Sequence, residues 1–164
     1  MTDLTAPTPP LTHSAKGSGV GYGAALWALV FAALHVAWAL GWYVGLDQEP
    51  ARQAFQRRWF LMYDLVAAGL CVVAFAVALA LAQQWGQRIP YSLVSKLAWG
   101  GTVLLALRGA AGVAQDVYRA TFGGNLRAAA VLWDLWFCLG AMLFGISVWQ
   151  SSRARKMRGS LRSA

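Results

Sequence analysis

Four ionisable residues lie inside long apolar runs of the sequence, one in each run. They are His35, Asp64, Arg108 and Asp134. A charged side chain at membrane depth is costly and is normally kept only where it is paired or functional. Two carboxylates and one guanidinium leave one negative charge in excess if His35 is neutral. A proton on an aspartate, a proton on His35 or a bound cationic group must therefore neutralise this excess.

These residue types favour a polar network over a metal or haem centre. Arg108 suits a bridge between both aspartates, because its planar guanidinium bonds well to carboxylates and stays charged. The same charge would repel a metal ion held by His35 and the aspartates, and a haem would lack a second histidine ligand. No serine or cysteine has a recognisable spacing from His35 for nucleophilic catalysis. We therefore assign no catalytic residue, no metal and no cofactor, and leave open whether the protein is an enzyme.

Tryptophans flank these polar positions. Trp38, Trp42 and Trp133 are candidates for the rim of a pocket that takes an apolar or cationic ligand. They are equally typical of an aromatic belt at the membrane surface, together with Trp59 and Trp136. The sequence leaves both interpretations open.

The elements that position these residues are four apolar runs, at 22–44, 59–81, 93–115 and 128–149. Each is long enough to cross a bilayer, which takes about 20 residues. The 164-residue chain is 59% hydrophobic and only 12% charged, too apolar for an ordinary soluble domain. The predicted fold class is all-α, a transmembrane four-helix bundle.

The flanking segments differ in composition from the bundle at 22–150. Residues 1–21 are rich in proline and glycine without apolar periodicity, which predicts a disordered tail. Residues 151–164 are basic and predict a cytoplasmic tail. Lysines and arginines are more numerous on the side of the bundle that holds both ends of the chain. The positive-inside rule then predicts cytoplasmic termini and a multi-pass protein of the cell membrane.

The net charge of +8 is concentrated near the carboxyl end of the chain. A basic segment directly after a membrane helix is better explained by topology and by anionic lipid than by nucleic acid, which we do not expect as a partner. The predicted contacts to anionic head groups are Arg153, Arg155, Lys156 and Arg158.

Helix direction alternates along a bundle, so the depths of the four ionisable residues can be compared at about 1.5 Å per residue. They fall in one layer, roughly 7–14 Å below the non-cytoplasmic surface. Such a layer is either structural glue, worth about 0.6–2 kcal/mol per polar contact, or a working site. Tyr63-Asp64-Leu65 and Trp133-Asp134-Leu135 open the second and fourth helices alike, which predicts two hairpins that run in the same sense.

Two short motifs carry a resemblance to a known family. Leu34-His-Val-Ala-Trp-Ala-Leu-Gly41 lies in the first run, and Leu107-Arg-Gly-Ala-Ala-Gly112 lies in the third. With Asp134 early in the fourth run, they resemble a bacterial four-helix membrane family, domain of unknown function 3995, over about residues 22–150. The resemblance implies a fold but no activity. One departure is Leu135-Trp-Phe-Cys-Leu-Gly140, where the resemblance implies a proline-rich ending.

The functional prediction is a membrane binding or accessory protein whose polar layer orients a lipid-like or small ligand. The alternatives are a proton-coupled transporter subunit and a membrane enzyme acting on a lipid or isoprenoid. A homodimer or a membrane partner protein is a further possibility. If Arg108 pairs with aspartate, Arg108→Gln is predicted to lower thermal stability more than Cys138→Ala does.

Overall fold

The computed structural model describes residues 19–125 and 127–160, with the side chains of residues 158 and 159 excepted. These residues are helical apart from the loops, and four of the helices are long and apolar enough to cross a membrane. The all-α fold class and its four membrane-length helices are thus confirmed. The helices are α1 (Gly19–Ala39), α2 (Gln48–Phe55), α3 (Arg58–Ala82), α4 (Tyr91–Thr121) and α5 (Ala128–Ser160), with a 3-10 turn at Gln84–Arg88 between α3 and α4.

The long helices form two antiparallel hairpins, α1–α3 and α4–α5, which meet through α1 and α5. In the first hairpin, Ala24, Ala28 and Ala32 recur on one buried face of α1 and let its neighbours approach closely. In the second, α4 presents glycines to α5 at the level of the polar residues. Trp27 of α1 contacts Phe144 of α5, near the end of the bundle where α1 begins.

Helix α1 ends at Ala39, five residues before the predicted end of the first run. Gly41 and Gly45 have φ angles of 90° and 74°, a left-handed conformation that interrupts a helix and suits glycine. The indole nitrogens of Trp38 and Trp133 donate hydrogen bonds to Val44 O and Gly45 O, each at 2.9 Å. These bonds fold residues 40–47, the capping loop, back over the end of the bundle.

The other helices also depart from the predicted bounds. Helix α4 continues to Thr121 and α5 to Ser160, because the polar residues that follow each apolar run are compatible with a helix. Hydropathy marks the part of a helix that suits a membrane and does not mark its end. Helix α2 lies between the first two apolar runs, where the sequence predicted no helix, and packs Phe55 against Tyr43. Of the predicted disordered tail, residues 1–18 lie outside the described residues, and residues 19–21 belong to α1.

Candidate functional site

The four ionisable residues of the predicted layer form two separate pairs. His35 Nδ1 lies 2.7 Å from Asp64 Oδ1 and joins α1 to α3. Arg108 Nη1 donates to Asp134 Oδ1 at 2.7 Å and joins α4 to α5. The expected bridge from Arg108 to both aspartates is wrong, because each carboxylate finds its partner within its own hairpin. In each hairpin, a basic residue on the first helix thus pairs with an aspartate on the second.

Two glycines make room for the Arg108–Asp134 pair. A Cβ atom built on Gly112 would overlap both carboxylate oxygens of Asp134, and one built on Gly109 would lie 2.7 Å from the sulfur of Cys138. Only glycine leaves this space, so α4 and α5 approach closely where the carboxylate lies between them. The segment Leu107–Gly112 therefore supplies both the cation and the space for its anion. Asp134 is 5% exposed.

The His35–Asp64 pair is more deeply enclosed. His35 is 9% exposed and Asp64 is 3% exposed. The imidazole ring is fixed by Phe31 and Trp38, whose ring centroids lie 4.6 and 4.9 Å from its own. Asp64 Oδ2 is buried and has no hydrogen-bond partner within residues 19–125 and 127–160. The contact with His35, through Oδ1, is therefore the one hydrogen bond of this carboxylate within the described residues.

Aromatic rings connect the two pairs at one level of the bundle. Phe31, next to His35, contacts Trp133 at a centroid distance of 6.2 Å and Phe137 at 5.4 Å. The guanidinium of Arg108 lies over the ring of Phe137, 4.7 Å from its centroid. Phe31, Trp133 and Phe137 thus form an aromatic cluster between His35 and Arg108, which we call the aromatic floor.

A cleft of about 1170 Å³ opens above this floor, between α3 and α4. It exists because α3 and α4 touch each other little, while each packs well within its own hairpin. His35, Arg108 and Asp134 line the cleft, and Asp64 lies behind His35. The side chain of Arg108 is 50% exposed, which leaves part of its guanidinium accessible. The walls between α3 and α4 are mainly apolar, with Val66, Leu70, Val73, Gly100, Gly101 and Leu104 among them. Further polar side chains line the cleft from the two end regions of α4 and the loop that follows it: Lys96, Gln115, Arg119, Asn125 and Arg127.

Of the three tryptophans predicted at a pocket rim, Trp38 and Trp133 line the cleft. Trp42 does not: it lies in the capping loop, 70% exposed, because α1 ends before it. Trp27 and Phe31 line the cleft and were missed by the sequence prediction. Trp27, Phe31 and His35 follow one another at intervals of four residues, which places all three on one face of α1. This spacing is the signal that would have identified the two aromatic residues.

The site offers hydrogen-bond donors within an apolar cavity. Across the described part of the chain, no three histidine, cysteine or acidic side chains come together in a group that could hold a metal ion. Arg108 uses one nitrogen for Asp134 and has four further N–H donors in its guanidinium, by the ordinary count of five. His35 uses Nδ1 for Asp64, which leaves Nε2 for a molecule in the cleft.

Comparison with known proteins identifies a family but no specific function. The chain has no match among curated proteins, and no solved structure matches it. A family model described as protein of unknown function (DUF3995) matches residues 28–144. This stretch contains both polar pairs, the two glycines beside Asp134 and the aromatic floor. The chain therefore belongs to the DUF3995 family of proteins of unknown function.

Proposed function

We propose that the protein binds a neutral amphiphile, which enters from the bilayer into the cleft between α3 and α4. The observation that carries this proposal is the apolar cleft itself, about 1170 Å³, with the half-exposed Arg108 and the oriented His35 at its floor. The apolar part of the ligand would lie along Val66, Leu70 and the glycines of α4. Its polar head group would meet the two basic side chains.

A neutral head group fits this site better than a charged one. Arg108 and Asp134 already compensate each other within 2.7 Å. A ligand ion would add an uncompensated charge at membrane depth, which costs about 2.5–3.5 kcal/mol at the centre of a helix. A hydrogen bond from the charged Arg108 contributes about 1.5–3 kcal/mol, and a neutral acceptor gains this contribution without the charge cost. Because a charged head group pays the charge cost and an uncharged one does not, we expect an uncharged head group that carries oxygen atoms.

The same proposal places the protein in the cell membrane with both termini in the cytoplasm. Helices α1 and α5 are antiparallel, since Trp27 packs near Phe144 and Phe31 packs near Phe137. The start of α1 and the end of α5 therefore lie at the same end of the bundle. The positive-inside rule assigns this end to the cytoplasm, because the basic residues that follow Trp149 lie there.

The second candidate function is a membrane enzyme that acts on the bound lipid. The observation in its favour is the 2.7 Å contact between His35 and Asp64, the geometry by which a carboxylate orients a general acid or base. Proton-coupled transport has less support, because transporter sites are often built on broken helices. The helices that line this cleft are continuous between their described ends.

Filling the cleft should expel its ligand. Gly101 lines the cleft, and a Cβ atom there meets no other atom within 4 Å. Gly101→Leu should therefore fold normally and reduce the amount of co-purifying amphiphile by about tenfold or more, because loss of 1.4 kcal/mol of binding already has that effect. The measurement is a native mass spectrum of the protein released from mild detergent, which also reports whether the chain dimerises or holds a partner protein.

Gly69→Leu is the matched control for this experiment. Gly69 is also a helical glycine with open space around its Cβ position, but it does not line the cleft. It should retain the same extra mass as the parent protein. A bare mass for the parent, or an equal adduct in Gly101→Leu, would show that the cleft is not a ligand site.

We also propose that the basic end of α5 holds anionic lipid head groups, as predicted for Arg153, Arg155, Lys156 and Arg158. Arg153 stacks on Trp149 at 3.8 Å and Arg155 on Tyr91 at 4.1 Å, which positions two of these cations at the end of the bundle. Each basic residue near a membrane surface contributes about 1 kcal/mol towards anionic lipid.

Replacing Arg153, Arg155 and Lys156 together by glutamine should reduce the number of phosphatidylglycerol molecules that stay bound in a native mass spectrum. The same replacement at Arg52, Arg57 and Arg58, on the opposite side of the bundle, is the matched control and should have a smaller effect. High salt should weaken the parent's retention, because exposed charges are screened. Equal retention by both triple variants would contradict a lipid site at the end of α5.

A further inference from the structure

We propose that the head group bound in the cleft is a planar ring with carbonyl oxygens, as in a quinone or a cyclic enone. This inference rests on the proposed lipid-binding function and goes further by naming the class of ligand. Its carbonyl oxygens would accept hydrogen bonds from Arg108 on one side of the aromatic floor and from His35 on the other.

Arg108 can only donate hydrogen bonds. A guanidinium carries five N–H groups and no acceptor, and it stays protonated in proteins. Within residues 19–125 and 127–160, its hydrogen bond is the one from Nη1 to Asp134. The half-exposed remainder of the group faces a cleft whose walls are mainly apolar. A ligand beside Arg108 must therefore present an acceptor.

His35 is also a donor towards the cleft. The 2.7 Å contact between His35 Nδ1 and Asp64 Oδ1 holds one proton, and the tautomer of the ring decides which of the two atoms donates. A buried pair without net charge carries one further proton. On Asp64 Oδ2 that proton would have no acceptor, because this oxygen is buried and has no partner in the described part of the chain. On His35 Nε2 it is directed to the ligand, so Nε2–H donates whichever atom donates in the contact with Asp64.

Two donors select a carbonyl over an alcohol. A carbonyl oxygen satisfies N–H donors and has no proton of its own. A hydroxyl group would bring an O–H that needs an acceptor, and an unpaired polar group in an apolar site costs about 1–3 kcal/mol. The amide oxygens that line the cleft, on Gln115 and Asn125, lie seven or more residues beyond Arg108 along the chain, about 10 Å or more along the direction of α4. The carboxylate of Asp134 has little room for this role, because Asp134 is 5% exposed, its oxygens lie against Gly112 on α4 and one of them already accepts from Arg108.

The floor of the cleft selects a flat ring. Phe31, Phe137 and Trp133 line the cleft; Phe31 stacks on Trp133 with an interplanar angle of 28° and meets Phe137 edge-on at 80°. A planar conjugated ring can pack against a ring face or edge of this cluster, and aromatic pairs contribute about 0.5–1.5 kcal/mol beyond their buried area. The apolar walls above would then hold a hydrocarbon chain attached to the ring.

The test compares two neutral probes that differ in their oxygens, decyl-benzoquinone and the dimethyl ether of the corresponding hydroquinone. Binding is measured on the detergent-solubilised full chain by isothermal titration calorimetry. The parent protein should bind the quinone about tenfold more tightly than the ether, since a hydrogen bond from a charged donor contributes about 1.5–3 kcal/mol. Gly101→Leu should weaken the binding of both probes.

Two substitutions of His35 separate the hydrogen bond from folding. His35→Leu and His35→Gln both remove the ring from Asp64, so their effects on stability should be similar. Glutamine keeps an N–H donor near the position of Nε2, whereas leucine has none. We expect His35→Leu to lose the preference for the quinone and His35→Gln to retain part of it.

The proposal is overturned if the parent binds both probes equally, if it binds neither, or if His35→Leu keeps the full preference for the quinone. In each case, a co-purifying mass that is present in the parent protein and lost in Gly101→Leu would still support the cleft as a lipid site. If the co-purifying mass is the same in the parent protein and in Gly101→Leu, and the quinone does not bind, the proposed function itself is rejected.

Discussion

Replacing Arg108 by glutamine should lower the free energy of unfolding by about 3 kcal/mol, the lower end of the range for breaking a buried ion pair. The lower end applies because the arginine side chain is half exposed, whereas Asp134 is buried and would be left without its cation. Cys138→Ala, on the same helix as Asp134, removes only a small apolar group and should cost about 1 kcal/mol or less. Thermal unfolding in one detergent compares the two variants.

A double-mutant cycle identifies the cause of this loss. Asp134→Asn removes the charge that Arg108→Gln leaves unpaired, so the double variant should be more stable than Arg108→Gln alone. A structural role of Arg108 that did not involve Asp134 would instead give additive losses. If Arg108→Gln melts at the temperature of the parent protein, the pair does not contribute to stability.

Gly112→Ala should disrupt the same pair from the opposite side. The added methyl group would occupy the position of the Asp134 carboxylate, so either the carboxylate or the whole of α5 must move. Overpacking of a well-packed contact costs about 1–3 kcal/mol. Gly101→Ala, on the same helix but in open space, gains helix propensity at no steric cost and is the matched control.

The two alanine variants should therefore move the melting temperature in opposite directions, downwards for Gly112→Ala and slightly upwards for Gly101→Ala. The carboxylate stretching band of Asp134, assigned by its loss in Asp134→Asn, should shift in Gly112→Ala because the bond to Arg108 is altered. An unchanged band and an unchanged melting temperature in Gly112→Ala would argue against the close approach of α4 and α5.

The sequence predicted the four membrane-length helices and the presence of one ionisable residue on each. It could not predict the pairing, because depth along a helix follows from counting residues whereas the direction of a side chain around the bundle depends on packing. Arg108 was expected to reach both aspartates. Gly109 and Gly112 instead allow α4 to pack closely against α5, and α4 makes few contacts with α3. The cleft is a result of that closeness and so was not visible in the sequence.

The ends of the helices were predicted less well for a related reason. Helix α1 stops early because indole groups from Trp38 and Trp133, nearly 100 residues apart, hold the capping loop. Such long-range hydrogen bonds have no local signature. Trp42 was predicted at a pocket rim because the first helix was expected to continue to residue 44. Since α1 ends at Ala39, Trp42 lies in the capping loop instead.

The equivalence of the two hairpins has an evolutionary consequence. Ala33-Leu34-His35 in α1 matches Ala106-Leu107-Arg108 in α4, as the two Asp-Leu segments match in α3 and α5. A gene that encoded one such hairpin would produce this bundle as a symmetric dimer, with two identical pairs. Duplication of this gene, and fusion of the two copies through the segment 83–90, would allow the two halves to differ in sequence. The two halves could then carry different basic residues at the same position, histidine in the first and arginine in the second.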